Sequence, residues 1–158
     1  MEAQEILDSL LHKYRDRICA PELPFSGGQR RIDLWTLHPH NSRGYASTCF
    51  EIKVSKADYK KDGYEKQRLA RLFSDQFYYV TPKGLLDKEQ IPDWAGLLEY
   101  NGDRFREILY APKTGRAEPS WELLASIFRS EIGVRRDQTM TEKHLRSEIS
   151  MLKRNQND

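Results

Sequence analysis

Apolar residues recur at helical spacing near both ends of the chain. Residues 2–16 carry one such stripe, which predicts an amphipathic helix. Residues 120–132 predict a second helix between a Ser120 N-cap and a Gly133 C-cap, and residues from Thr139 predict a third. The expected buried positions are Ile6, Leu7, Leu10, Leu11 and Tyr14 in the first helix and Trp121, Leu124, Ile127 and Phe128 in the second. In the third helix, a narrow apolar stripe consists of Leu145, Ile149 and Leu152.

Strict alternation of apolar and polar residues predicts two strands in the first third of the chain. The strand at 30–37 places Ile32 and Leu34 on one face and Asp33 on the other. The strand at 46–54 alternates in the same way, with Cys49, Glu51 and Lys53 on one face. A loop rich in turn formers at 38–44 joins them as an antiparallel hairpin. Two prolines restrict residues 18–25 to an irregular or edge strand, and a turn is expected at 26–28.

The pattern becomes helical after the hairpin and then returns to short strands. Residues 57–73 predict a helix whose buried side is Tyr64, Leu69, Leu72 and Phe73, and strands are expected at 77–81, 95–100 and 106–110. A helix between the hairpin and the strand at 77–81 implies a crossover. The expected fold class is therefore α/β, with a mixed central sheet flanked by helices and a C-terminal helical extension.

Composition narrows the class of protein. The chain has 158 residues, of which 38% are hydrophobic and 32% charged, as in a folded globular domain rather than a disordered or membrane protein. The start of the chain does not resemble a secretory leader, and two cysteines without a CxxC pair favour a reducing cytoplasm. The net charge of +2 does not by itself indicate nucleic-acid binding, although basic residues flank the strands at 30–37 and 46–54.

Three charged residues on the two hairpin strands suggest metal-dependent chemistry. Asp33 lies mid-strand, where a carboxylate is uncommon unless it is paired or bound. Glu51 and Lys53 are two residues apart on the neighbouring strand and share a face. Two carboxylates and the Ile52 carbonyl would make an all-oxygen Mg²⁺ site, and Lys53 could orient or deprotonate water or neutralise a phosphate.

An alternative interpretation has no function attached. An acid-x-Lys triplet is expected by chance about once in a chain of this size, and Asp58-Tyr59-Lys60 is a second example, which we assign to the surface. Asp33, Glu51 and Lys53 could equally be a cross-strand ion-pair cluster on an exposed sheet face. The residues alone leave both interpretations open.

The runs RRIDLWTL and CFEIKVSKADYKKD resemble the PD-(D/E)xK nuclease superfamily, with a restriction-endonuclease-like αβββαβ core. Within it, the chain is most similar to the bacterial DNA-repair-associated MmcB-like group, over about residues 1–112. Ile32 stands where many members have proline. The resemblance implies a Mg²⁺-dependent nuclease, with Mn²⁺ as a substitute, that acts on DNA in repair, recombination or restriction. It implies Asp33 and Glu51 as metal ligands and Lys53 as the catalytic lysine.

Further residues complete the expected site. The resemblance suggests Glu5 and Gln67 as accessory residues. DNA phosphates are expected to contact a set of basic side chains, Arg30, Arg31, Lys56, Lys60, Lys61 and Lys66. We expect a nuclease-like domain at 1–133 and a helical tail at 134–158 that docks on the domain or forms a homodimer. The alternatives are a non-catalytic nucleic-acid-binding module of the same fold and an RNA-processing nuclease.

Overall fold

The computed structural model describes residues 1–25 and 30–155, so the turn expected at 26–28 lies outside the described residues. Helical and strand regions follow one another along the chain in the order that the sequence predicts. The helices are α1 (Ala3–Lys13), α2 (Lys56–Lys60), α3 (Arg68–Leu72) and α4 (Trp121–Asn155), with short 3₁₀ turns at Asn41–Arg43 and Lys88–Gln90. The strands are β1 (Ile18–Phe25), β2 (Arg30–Leu37), β3 (Ser47–Ile52), β4 (Gln76–Pro82), β5 (Gly96–Tyr100) and β6 (Phe105–Leu109).

The strands of the described chain form one open six-stranded sheet in the order β1-β2-β3-β4-β5-β6. The pairs β1–β2, β2–β3 and β5–β6 are antiparallel, whereas β3–β4 and β4–β5 are parallel. This confirms the mixed sheet and the α/β fold class. The proline-containing strand β1 is at an edge, as predicted, because proline cannot donate a ladder hydrogen bond.

Helices cover both faces of the sheet. The apolar stripe of α1 packs on one face, in what we call the α1-side core, which includes Ile6, Leu10, Leu34, Phe50 and Val80. Residues of α3 and of the first part of α4 pack on the other face, in the α3-side core, which includes Phe25, Ile32, Trp35, Cys49, Ala70, Tyr79 and Ile127. The site described below lies where β3 ends between these two layers.

The prediction of a single helix at 57–73 is wrong. The segment forms two five-residue helices, α2 and α3. Asp62 lies between them, and its carboxylate accepts hydrogen bonds from the Gly63 N–H and the Gln67 side chain. A side chain that bonds its neighbours in this way competes with the helix, and Gly63 weakens the helix further. Tyr64 and Leu72, expected to be buried, are 56% and 45% exposed.

The prediction of two separate C-terminal helices, with a C-cap at Gly133, is wrong. The helix α4 is continuous for 35 residues and passes through Gly133. A single glycine costs a helix only about 1 kcal/mol. Its buried face contains Leu123 and Ile127, whereas Trp121 and Phe128 are 86% and 64% exposed. Among the described residues, none of the helices has the length and apolar composition needed to cross a bilayer.

Candidate metal centre

The ladder between β2 and β3 stops at Leu34, the residue that follows Asp33 in the chain. The last pair is Leu34 with Phe50. Beyond it, Oδ2 of Asp33 accepts a hydrogen bond of 2.6 Å from the Ile52 N–H. The Asp33 carboxylate therefore lies at the edge of β3 in a place that the next ladder bond would otherwise occupy.

At Asp33, the regular alternation of β2 side chains between the two faces of the sheet is interrupted. Ile32 packs in the α3-side core and Leu34 in the α1-side core, so the predicted placement of both on one face is wrong. Across the β1–β2 pair, the register passes from Pro21–Leu34 to Leu23–Ile32 without pairing Glu22 and Asp33. Glu22 has a left-handed backbone with φ of 50°. This irregularity breaks the two-residue period and is the physical reason for the change of face.

Glu51 and Lys53 share a face, as predicted. Lys53 Nζ lies 2.8 Å from Glu51 Oε1, and the two residues are only 3% and 6% exposed. They lie toward the α3-side core, where Glu51 is in register with Tyr79 of β4. The ion pair of the alternative interpretation is present, but it is buried rather than on an exposed sheet face.

The Glu51 carboxylate is incompletely compensated. Its second oxygen, Oε2, is buried and has no hydrogen-bond partner among the described residues. Burial, together with the nearby charge of Asp33, raises the pKa of Glu51 to about 7. Burial also raises the pKa of Asp33, although the hydrogen bond from the Ile52 N–H opposes this. Two desolvated carboxylates that disfavour each other's ionisation form a site where a cation is stabilising.

The donor set fits a magnesium ion. The N–H and C=O of one strand residue point to the same edge, so the Ile52 carbonyl faces Asp33 as its N–H does. With Glu51 this gives three oxygen donors. The described residues contain no group of three or more His, Cys, Asp or Glu side chains suited to a metal. A site with only two carboxylate ligands is compatible with Mg²⁺, which keeps several waters and uses one or two carboxylates.

Lys53 is held by three carboxylates. Besides Glu51, the Oδ2 atoms of Asp58 and Asp62 each lie 3.5 Å from Lys53 Nζ. Burial by itself would lower the pKa of Lys53, but these carboxylates, Glu51 foremost, outweigh it and raise the pKa. Gln67 Nε2 donates to both oxygens of Asp62 at 2.9 and 2.8 Å. Gln67 is thus connected to the site through Asp62.

Two of these acids were missed by sequence reasoning. Asp58 was assigned to the surface; its side chain is 49% exposed but contacts Lys53. The sequence predicts no role for Asp62, yet its side chain is only 1% exposed. The helix-breaking Gly63 directly after it is the one local signal that could have marked the position.

The remaining predicted residues are distributed around the site. Glu5 is exposed on α1, whose buried stripe packs on the opposite face of the sheet from Glu51, and the structure does not bring it to the cluster. Lys66 is half-buried, with Nζ 3.5 Å from Asp62 Oδ1. The other basic residues are exposed at the start of β2 and on or next to α2, namely Arg30, Arg31, Lys56, Lys60 and Lys61.

Comparison with known proteins supports the fold only. No family model matches the chain, and no curated protein matches it. A solved structure of a protein of unknown function from Silicibacter pomeroyi is similar to it, with a TM-score of 0.60 and 20% identity over 84% of each chain. At that identity the similarity establishes a shared architecture and carries no information on activity.

Proposed function

We propose that the protein is a Mg²⁺-dependent nuclease that hydrolyses DNA phosphodiester bonds, with Mn²⁺ as a substitute ion, in DNA repair, recombination or restriction. The observation that carries the proposal is the buried Glu51 carboxylate. Among the residues that the structure describes, one of its oxygens has no hydrogen-bond partner; burial and the charge of Asp33 raise its pKa, and Lys53 lies 2.8 Å from its other oxygen. Buried polar atoms are almost always satisfied, and an exception points to an ion or water at that position.

The residues of the chain have separable roles in this proposal. Asp33, Glu51 and the Ile52 carbonyl would hold Mg²⁺, which when bound draws charge from a phosphoryl oxygen and acidifies water. Lys53 keeps a positive charge at the same place, and Asp58 and Asp62 fix its position. From there its ammonium group can donate to the attacking water or to the phosphate as negative charge develops. The exposed basic residues of β2 and α2 would bind neighbouring phosphates.

A substrate panel tests the proposal. The protein is incubated with single-stranded, duplex and branched DNA and with RNA, with Mg²⁺, with Mn²⁺ or with EDTA. We expect cleavage of DNA that requires the divalent ion and falls at least about a hundredfold in Lys53→Ala, the range associated with one charge-stabilising group. Lys88→Ala, at an exposed position far along the chain, is the control. Cleavage that persists in EDTA or in Lys53→Ala would contradict the proposal.

One observation favours a second candidate, a non-catalytic nucleic-acid-binding module. Asp33 and Glu51 each already use one oxygen on a protein partner, the Ile52 N–H and Lys53. If these contacts are purely structural, the same panel gives no cleavage with any ion. Binding would remain and would weaken steeply with salt, because it would depend on phosphate contacts.

The cellular location and the assembly state are also proposals. Cys19 and Cys49 are both buried and free, which supports a reducing compartment such as the cytoplasm. Residues 141–150 of α4 are all exposed, and they include Leu145 and Ile149, each 51% exposed. We propose that this segment pairs with a second copy of the chain. Size-exclusion chromatography with and without residues 134–158 tests this, and a dimer that survives the deletion would rule it out.

A further inference from the structure

A cavity of about 370 Å³ opens between the start of β2 and the start of α3. One wall is the end of β1 and the beginning of β2, and the other is the segment that leads into α3 together with the first residues of that helix. The lining residues are Phe25, Arg30, Arg31, Ile32, Glu65, Lys66, Gln67, Arg68, Leu69 and Ala70. We call this the β2–α3 cavity.

The lining of the β2–α3 cavity combines two kinds of surface. Four cationic side chains line it, Arg30, Arg31, Lys66 and Arg68, against the single carboxylate of Glu65. Its apolar lining is supplied by Phe25, Ile32, Leu69 and Ala70, three of which belong to the α3-side core. A ligand that matches both surfaces has an anionic group joined to a flat, less polar ring. A nucleotide has this composition.

Two residues connect the cavity to the charged cluster. Gln67 lines the cavity and also donates to both oxygens of Asp62, which contacts Lys53. Ile32, in the opposite wall, directly precedes Asp33 in β2. The cavity wall is therefore connected to the charged cluster through Gln67 on one side and adjoins Asp33 along β2 on the other.

We propose that the β2–α3 cavity binds one unpaired nucleotide of a DNA strand, adjacent to the phosphate that is cleaved. This rests on the proposed nuclease function. Pockets for small ligands measure about 300–1,000 Å³, so a cavity of about 370 Å³ accommodates one nucleotide and not a base pair. A base stacked in a duplex has to leave its stack to enter such a pocket. The substrate class that follows is single-stranded DNA, or a duplex with a frayed end or an unpaired nucleotide.

Binding without catalysis tests the cavity directly. In EDTA, affinities for thymidine 5′-monophosphate and for inorganic phosphate are measured by titration calorimetry on the full chain. We expect the nucleotide to bind at least fivefold more tightly than phosphate, and Arg31→Ala and Arg68→Ala to weaken it at least fivefold. Lys88→Ala, whose side chain is outside the cavity, should bind as the unsubstituted protein does. Equal binding of phosphate and nucleotide, or no effect of either arginine variant, would overturn the proposal.

Cleavage assays with the same variants separate this inference from the proposed function. If single-stranded DNA is cleaved and the KM is unchanged in Arg68→Ala, a residue outside the set assigned to neighbouring phosphates, the cavity proposal fails and the nuclease proposal stands. If the nucleotide binds and the arginine variants lose it, but no substrate is cleaved with Mg²⁺ or Mn²⁺, nucleotide binding by the cavity stands, whereas the nuclease proposal and the placement beside a cleaved phosphate fail. Faster cleavage of paired duplex than of single-stranded DNA would also contradict the cavity proposal.

Discussion

Replacing Lys53 with methionine tests the buried charge network most directly, because it removes the ammonium group and keeps much of the side-chain volume. In the unsubstituted protein this group lies 2.8 Å from Glu51 Oε1 and 3.5 Å from the Oδ2 atoms of Asp58 and Asp62. Asp62 retains contacts with Gln67 and Lys66 in the variant. Within the described part of the chain Glu51 keeps none of comparable strength, since its other oxygen has no hydrogen-bond partner there.

The expected loss of stability follows from these contacts. Removing one partner of a buried ion pair costs about 3–5 kcal/mol. Glu51 can limit the cost by binding a proton, which costs roughly 1.4 kcal/mol for each pH unit above its pKa in the unsubstituted protein. Because that pKa is already about 7, this gives a ceiling for Glu51 of about 1.4 kcal/mol at pH 8 and almost no cost at pH 5.5. The half-exposed Asp58 adds about 0–1 kcal/mol, so we expect Lys53→Met to lower the free energy of unfolding by about 2 kcal/mol at pH 8 and by less than half of that at pH 5.5.

Urea denaturation at pH 8 and at pH 5.5, in EDTA, measures the loss in the free energy of unfolding at each pH. Lys66→Met is the matched control, because Lys66 is partly exposed and its ion pair with Asp62 should contribute only about 0–1 kcal/mol. The double variant Glu51→Gln, Lys53→Met should recover part of the stability at pH 8, since no unpaired carboxylate remains at position 51. A loss below about 1 kcal/mol at pH 8, or equal losses at both pH values, would refute the reasoning.

Three further outcomes follow from the structure. The pKa of Glu51 is raised to about 7 from an ordinary 4.5, so its contribution to stability is fully present below pH 4.5 and is lost as the pH rises through 7. Metal binding strengthens over the same pH range, because the metal needs the ionised carboxylate. Mn²⁺ affinity should therefore be about tenfold or more higher at pH 8 than at pH 5.5, and an affinity that does not change with pH would contradict this. Gln67→Leu leaves the buried Asp62 without its amide donor and should cost about 1–3 kcal/mol in urea denaturation, whereas a loss under about 0.5 kcal/mol would show that the contact is not structural. Gly96→Ala should lower stability by about 1–3 kcal/mol or more, because an added Cβ would lie 2.4 Å from the Tyr78 ring and 2.6 Å from the Ala111 backbone nitrogen, and an unchanged melting temperature would contradict that packing.

The parts of the site that the sequence predicted are those encoded by a local period. Glu51 and Lys53 share a face because β3 is regular, and alternation along a regular strand fixes which side chains point together. The element order and the mixed sheet follow from the same local patterns and from the crossover after the hairpin.

The parts that the sequence did not predict depend on contacts between distant segments. The face change at Asp33 accompanies the left-handed Glu22 on the adjacent strand, and no property of β2 alone reports it. The burial of Asp62 results from its position between α2 and α3 against Lys53, in a segment whose composition is typical of a solvated surface. The exposure of Trp121 depends on which face of α4 meets the sheet, which a helical period alone does not decide.

The central claim is that Asp33 and Glu51 together hold a divalent ion. Mn²⁺ binding at pH 8, followed by electron paramagnetic resonance of the free ion, tests it on the unsubstituted protein, Asp33→Asn, Glu51→Gln and the exposed control Asp93→Asn. The account predicts one site in the unsubstituted protein and in Asp93→Asn, and its loss in each of the other two variants. Mn²⁺ binding that is unchanged by both Asp33→Asn and Glu51→Gln, or no binding by the unsubstituted protein, would contradict it.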